Sequence, residues 1–209
     1  MSTENRADQD VLSLLAAAVP PVADGETHGL RADLAARAER EGLLDVAYQA
    51  VDSPFGSLLL AATTEGLVRV AFEQEDHDVV LARLATLISP RILRAPRRTE
   101  AVARQLDEYF AGRRRAFDVP VDLRLVRGFR RAVISHLRDI AYGSTESYAA
   151  VARAAGNPAA VRAAGSACSH NPVPVVLPCH RVVRSDGTIG QYLGGTETKA
   201  ALLAMEAAA

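Results

Sequence analysis

GSTESYAAVARAAGNPAAVRAAGSACSHNPVPVVLPCHRVV, residues 143–183, carries the signal that decides the fold. Its first half splits into two short helical runs on either side of Gly156-Asn157-Pro158, the layout of a helix-turn-helix. Asn157 reads as the cap of the second helix, and Pro158 as a residue of its first turn, because a helix start tolerates a missing N–H. That second helix has almost no bulk. After Arg162 it runs Ala163, Ala164, Gly165, Ser166, Ala167, Cys168. A helix that reads the major groove sends long polar side chains to the base edges. One this slim lets its backbone approach a surface closely. Two surfaces fit: another helix, or a minor groove, about 6 Å wide in B-DNA.

The second half places Cys179 directly before His180, between Pro178 and Arg181. Neighbouring side chains diverge on a regular helix or strand, but Pro178 favours irregular backbone here. Beside a histidine a thiol can lose its proton and become a strong nucleophile. The plainer alternative is a buried, inert cysteine. Only Cys168 and Cys179 occur in the chain, too few for a disulfide framework. They lie eleven positions apart with no paired histidines, which makes a poor zinc site.

Further out, VRGFRRAVISHLRDI (126–140) predicts a helix with Phe129, Val133, Ile134 and Leu137 on one side. Upstream, DVAYQAV, GSLLLAAT and GLVRVAF predict a small antiparallel sheet, with a hairpin at TTEG. DHDVVLARLATLI and TEAVARQLDEYFAG predict amphipathic helices, and RRRAFDVPVDL an extended return. Residues 1–42 read as an appendage: VLSLLAAAV as a short helix, PPVADGETHG as a loop, and LRADLAARAEREG as a helix. That last helix has Leu30, Leu34 and Ala38 along one face and ends at Gly42.

The 209 residues suit one large or two small domains, and no apolar run approaches the roughly 20 residues of a membrane span. The acidic start makes a poor secretory signal, so a cytoplasmic protein is expected. Residues 119–209 carry 10 basic against 6 acidic side chains, a balance that suits a polyanion and equally an ordinary solvated surface.

Asn171-Pro-Val-Pro, then Pro178-Cys-His-Arg-Val, DGTIGQYLGG (186–195) and a terminal KAALLAMEA (199–207) follow the helix-turn-helix in order. This constellation resembles the O6-alkylguanine-DNA alkyltransferases, from about Asp45 to the end and most closely after Phe129. QLDEYFAG and FDVPVDL are similar to that family's N-terminal domain.

The resemblance implies an α+β fold in three parts. These are an extension (1–42), a small N-terminal domain with an antiparallel sheet and helices (43–122), and a helical C-terminal domain (123–209) that carries the helix-turn-helix and the reactive cysteine. It implies irreversible, single-turnover transfer of an alkyl group from O6-alkylguanine in DNA, with O4-alkylthymine as a second substrate, onto Cys179. By the same resemblance His180 takes the thiol proton through a water, Glu206 orients His180, and Asn171 is the hinge between helix-turn-helix and active-site loop. Tyr148 contacts the flipped nucleotide and helps to move its phosphate. Arg162 fills the gap in the duplex, with Ala163 and Gly165 facing the minor groove. Val182, Tyr192, Leu193 and Gly194 line the base pocket, Leu193 standing where some members carry a serine. The resemblance brings no cofactor and no metal, and the implied partner is double-stranded DNA bound by a monomer. Taken alone, Glu206 reads as a surface residue and Cys168 as a small packing residue. Ile134 and Ala141, where the family usually has tryptophan and proline, read as packing changes. A non-catalytic binder of alkylated DNA would carry another residue in place of Cys179. An adaptive-response regulator would need a longer, cysteine-bearing appendage.

Overall fold

The computed structural model describes residues 24–208. VLSLLAAAV lies outside them. Helix α1 (Asp24–Arg40) begins earlier than the sequence suggests: Asp24–Gly29, expected as loop, is its first part. It ends as expected. Gly42, at φ +68°, and Leu43 close a Schellman motif, their amides donating to the carbonyls of Glu39 (3.2 Å) and Ala38 (2.8 Å). The buried face differs from the expected one. Ala35 and Ala38 pack on Leu44, Ala47 and Ala95, while Leu30 and Leu34 are exposed. The small residues sit inward because α1 lies close against the sheet rim.

Strands β1 (Val46–Val51), β2 (Leu58–Ala62) and β3 (Leu67–Phe72) form an antiparallel meander. A fourth strand, β4 (Ile92–Arg94), joins β1 in parallel, so the sheet order is β3-β2-β1-β4 and the sheet is mixed. At three residues, β4 is too short to show a period. Its parallel sense follows from the crossover through α2 (His77–Leu87). Asp76 caps α2, accepting from the amides of Asp78 and Val79.

Both faces of β2 are buried. Leu59 and Ala61 pack with Val80 and Leu84 of α2, and Leu58 and Leu60 face a larger core. That core takes in Leu106 and Tyr109 of α3 (Glu100–Phe110) and Val133 and Ile134 of α4 (Gly128–His136). It continues through Leu177, Cys179 and Leu202. One apolar interior therefore joins the sheet to the C-terminal helices. Ile134 is fully buried, as a packing change should be, whereas Ala141 is exposed and fills no core volume.

The helix-turn-helix is α5 (Tyr148–Ala154) and α6 (Val161–Ser169). Ser147 caps α5, its hydroxyl accepting from the Ala150 amide at 3.1 Å. Asn157 does not cap α6. Its carbonyl accepts the Ala160 amide in a turn at 3.0 Å, and α6 starts only at Val161. The chain needs that extra turn to reverse direction after Gly156, at φ +88°. A short parallel ladder then pairs β5 (Glu146–Ser147) with β6 (Val182–Val183). The last helix, α7 (Gly195–Ala207), closes the fold.

Candidate active site

Cys179, His180 and Arg181 form a single 3₁₀ turn between Pro178 and β6, and all three are buried. The β5–β6 ladder fixes the exit of this turn beside the start of α5, which brings Tyr148 to the site. The entrance is fixed by Asn171, fully buried at the end of α6. Its side-chain N–H donates to the Leu177 carbonyl at 2.7 Å, and its Oδ1 accepts the Val173 amide at 3.0 Å. Between them Val175 sits at φ 71°, an uncommon conformation for a β-branched residue, held by its burial.

Glu206 reaches the site from α7 and is buried, contrary to its reading as a surface residue. His180 Nε2 lies 3.0 Å from its Oε1, and the Tyr109 hydroxyl donates to the same oxygen at 2.6 Å. Arg181 donates through Nε to Oε2 at 2.9 Å and through a terminal nitrogen to Oε1 at 2.8 Å. The Gly143 amide adds a donor at 3.2 Å. The carboxyl stays ionised down to about pH 2, because its donors outweigh the opposing effect of burial. An ionised Glu206 fixes the His180 tautomer: Nε2 carries the proton and donates to it. Nδ1 is then a free base. It is buried and has no hydrogen-bond partner among the described residues.

Burial pushes the Cys179 thiol up to about 11, against the opposing pull of the Asn171 side chain and the Lys199 charge. Burial also lowers the His180 pKa, although Glu206 works the other way. Thiol and imidazole are therefore both neutral at rest, and ionisation of the sulfur needs a proton to move to the ring.

Tyr148 lies between α6 and the loop before α7. A Cβ on Gly165 would sit 3.8 Å from its ring, and one on Gly190 would fall 2.5 Å from its hydroxyl, so a side chain at Gly190 would have to displace the Tyr148 ring. The small-residue helix packs along one side and leaves the other open. Ala164, Ala167 and Cys168 pack inward, Cys168 as the packing residue expected, while Arg162, Ala163 and Ser166 are exposed on the other side. Tyr192 is buried with its ring edge-on to that of Phe72, centroids 5.7 Å apart. Leu193 and Tyr192 border an open cleft of about 500 Å³ together with Ser169 and His170. Gly194 lies against the Phe72 ring. Val182 is buried, and its carbonyl already accepts the Lys199 ammonium at 2.5 Å, which leaves it one further lone pair.

Three residues of the site escaped the sequence reading. Tyr109 and Arg181 share Glu206, and Lys199 lies buried beside the Tyr148 ring with Cys179 close enough to affect its charge. Tyr109 is 97 positions from Glu206, and nothing local marks it. Lys199 did leave a signal: it is the only lysine among 24 basic residues.

Comparison with known proteins gives a consistent result. The family model "6-O-methylguanine DNA methyltransferase, ribonuclease-like domain" matches residues 46–123, and "6-O-methylguanine DNA methyltransferase, DNA binding domain" matches residues 128–208. Helix α1 lies outside both. The methylated-DNA–protein-cysteine methyltransferase of Mycolicibacterium paratuberculosis is 37% identical over 161 residues, 77% of this chain and 92% of that protein. The constitutive enzyme of that name from Bacillus subtilis is 36% identical over 76% of this chain and 94% of its own length. The crystal structure of Mycobacterium tuberculosis OGT in complex with DNA superposes with a TM-score of 0.67 at 34% identity, covering 78% of this chain and 93% of that one.

Proposed function

The chain belongs to the 6-O-methylguanine DNA methyltransferase family, and from that premise we propose the residues by which it works. It is a methylated-DNA–protein-cysteine methyltransferase that repairs DNA by direct reversal, drawing the alkyl group onto itself. Cys179 is the acceptor. Its sulfur attacks the alkyl carbon, an S–C bond forms, the C–O6 bond breaks, and guanine is restored. The thioether is stable, so each molecule acts once.

The observation that carries the assignment is the buried array Cys179–His180–Glu206. Glu206 holds Nε2–H, so Nδ1 takes the thiol proton, by way of a water, as sulfur becomes nucleophilic. Asn171 and Lys199 favour the developing thiolate. Tyr148, kept protonated because burial and the two thiols raise its pKa, donates to the leaving oxygen. The thiol proton passes to His180 and on to the released guanine, by way of Tyr148 where that hydroxyl gives up its own, so the protein ends one proton poorer, one alkyl group richer and with its charge unchanged.

The target base leaves the stack, at a cost of a few kcal/mol that is smaller for a badly paired alkylguanine. Arg162 fills the space it leaves, and Ala163 and Gly165 let α6 approach the minor groove. Val182, Tyr192, Leu193 and Gly194 receive the base. We take the protein to act as a monomer in the cytoplasm. No described helix is long and apolar enough to cross a membrane. The working units are an extension (1–42), a sheet domain (43–122) and a DNA-binding, alkyl-accepting domain (123–209).

The test is stoichiometry. Wild-type protein should take up label from O6-[methyl-³H]methylguanine duplex to a limit of one methyl per chain. Cys179→Ser should bind the same duplex and take up none. Turnover beyond one, or uptake by Cys179→Ser, would refute the acceptor role.

A further inference from the structure

Strand β3 and the 3₁₀ turn after it, Glu73–Glu75, touch both segments that frame Cys179. On one side the Val70 amide donates to the Pro172 carbonyl at 2.9 Å, and the Arg69 guanidinium reaches the carbonyl of Asn171 at 3.4 Å. Arg69 is held in place by its ion pair with Glu75. On the other side the Phe72 ring packs edge-on to Tyr192. A Cβ on Gly194 would lie 2.8 Å from that ring, so backbone and ring are in close contact. The Gln74 side-chain amide donates to the Leu193 carbonyl at 3.0 Å. The tip of the same loop, residues 184–189, is exposed and is held by its own turn hydrogen bonds. The C-terminal stem of the loop is thus fastened to the sheet while its tip faces solvent.

We propose that Phe72 and Gln74 are positioning residues for alkyl transfer, fixing the stem Tyr192–Gly194 in the geometry that receives the flipped base. This rests on the alkyl-transfer reading above. Neither residue takes part in the hydrogen bonds around Glu206. Their effect acts on where the base sits. A loop held in its receiving shape before the base arrives has no ordering entropy left to lose at that moment. Phe72 is fully buried, so its replacement would also disturb the core. Gln74 is exposed, and its replacement leaves packing alone.

The test therefore uses Gln74→Ala and Gln74→Glu. The glutamate keeps the size of the side chain and turns a donor into an acceptor facing a carbonyl. Reaction with free O6-benzylguanine and with O6-methylguanine duplex is followed as a function of concentration, and amide hydrogen exchange is followed in the unreacted proteins. The expected results are faster exchange confined to the loop, and a two- to tenfold rise in the half-saturating concentration for both substrates, the range that one neutral hydrogen bond spans. Glu should exceed Ala. The rate constant at saturation, its pH profile and the final yield of one alkyl group should stay at wild-type values. Hydrogen exchange does not depend on alkyl transfer, so unchanged exchange in the loop would overturn the proposal whatever the chemistry. Faster exchange with wild-type kinetics would overturn it too, as would a loss confined to duplex DNA or to the saturated rate constant.

Discussion

Glu206 receives hydrogen bonds from His180, Tyr109, Arg181 and Gly143 inside the protein, and this one carboxylate orders the site. The sequence shows it as one acid in an Ala-rich helix, and only the family resemblance suggested more. Its partners come from three separate segments, and such convergence has no local pattern. By contrast Cys179, His180 and Asn171 were legible, because a proline-bounded Cys-His and an Asn-Pro stand out within a few residues. Replacing Glu206 with alanine leaves Arg181 buried without its carboxylate. Arg181 keeps its hydrogen bond to the Ile140 carbonyl at 2.6 Å and the face of the Tyr142 ring, neither of which carries a full negative charge. Breaking one side of a buried ion pair costs about 3–5 kcal/mol. Urea unfolding should show a loss of that size in Glu206→Ala. A loss of under about 1 kcal/mol would mean that Arg181 finds water instead, and that the carboxylate does not organise the turn.

At the scale of elements, the helix-turn-helix and the two amphipathic helices were legible from spacing and composition. The cap of α6, the start of α1 and strand β4 were not. Asn157 matched the chemistry of a cap, but the chain needed one more turn before it could enter the helix. Strand β4 exists because β1 has an open edge, and that is a property of the sheet rather than of three residues. The exposure of Arg162 at the front of α6, set against the buried Ala164, Ala167 and Cys168, gives this helix a protein side and an outer side. If Arg162 compensates for an unstacked base, Arg162→Ala should slow reaction with O6-methylguanine duplex by about tenfold or more, since flipping costs a few kcal/mol. Its reaction with free O6-benzylguanine, which needs no flipping, should stay near wild type. Equal losses on both substrates would place Arg162 in a different role.

For the whole molecule, the buried polar array makes stability depend on pH. His180 is held neutral below its ordinary value of 6.5, and Glu206 ionised from its ordinary 4.5 down to about 2. In both cases the unfolded chain binds a proton that the native protein refuses, so stability rises with pH through those ranges. Unfolding free energy should fall as pH drops below 6.5, and fall again from 4.5 toward 2. Constant stability between pH 7.5 and 5 would show that His180 titrates freely. The same burial leaves Cys168 and Cys179 as two protected thiols in one interior, of which only Cys179 is the proposed acceptor. The direct test is peptide mass spectrometry of the protein after reaction with duplex DNA containing a single O6-methylguanine. The predicted result is one methyl group on the peptide containing Cys179, none on Cys168, and plain guanine in the DNA; a methyl group on Cys168, or repaired DNA with an unmodified Cys179, would contradict it.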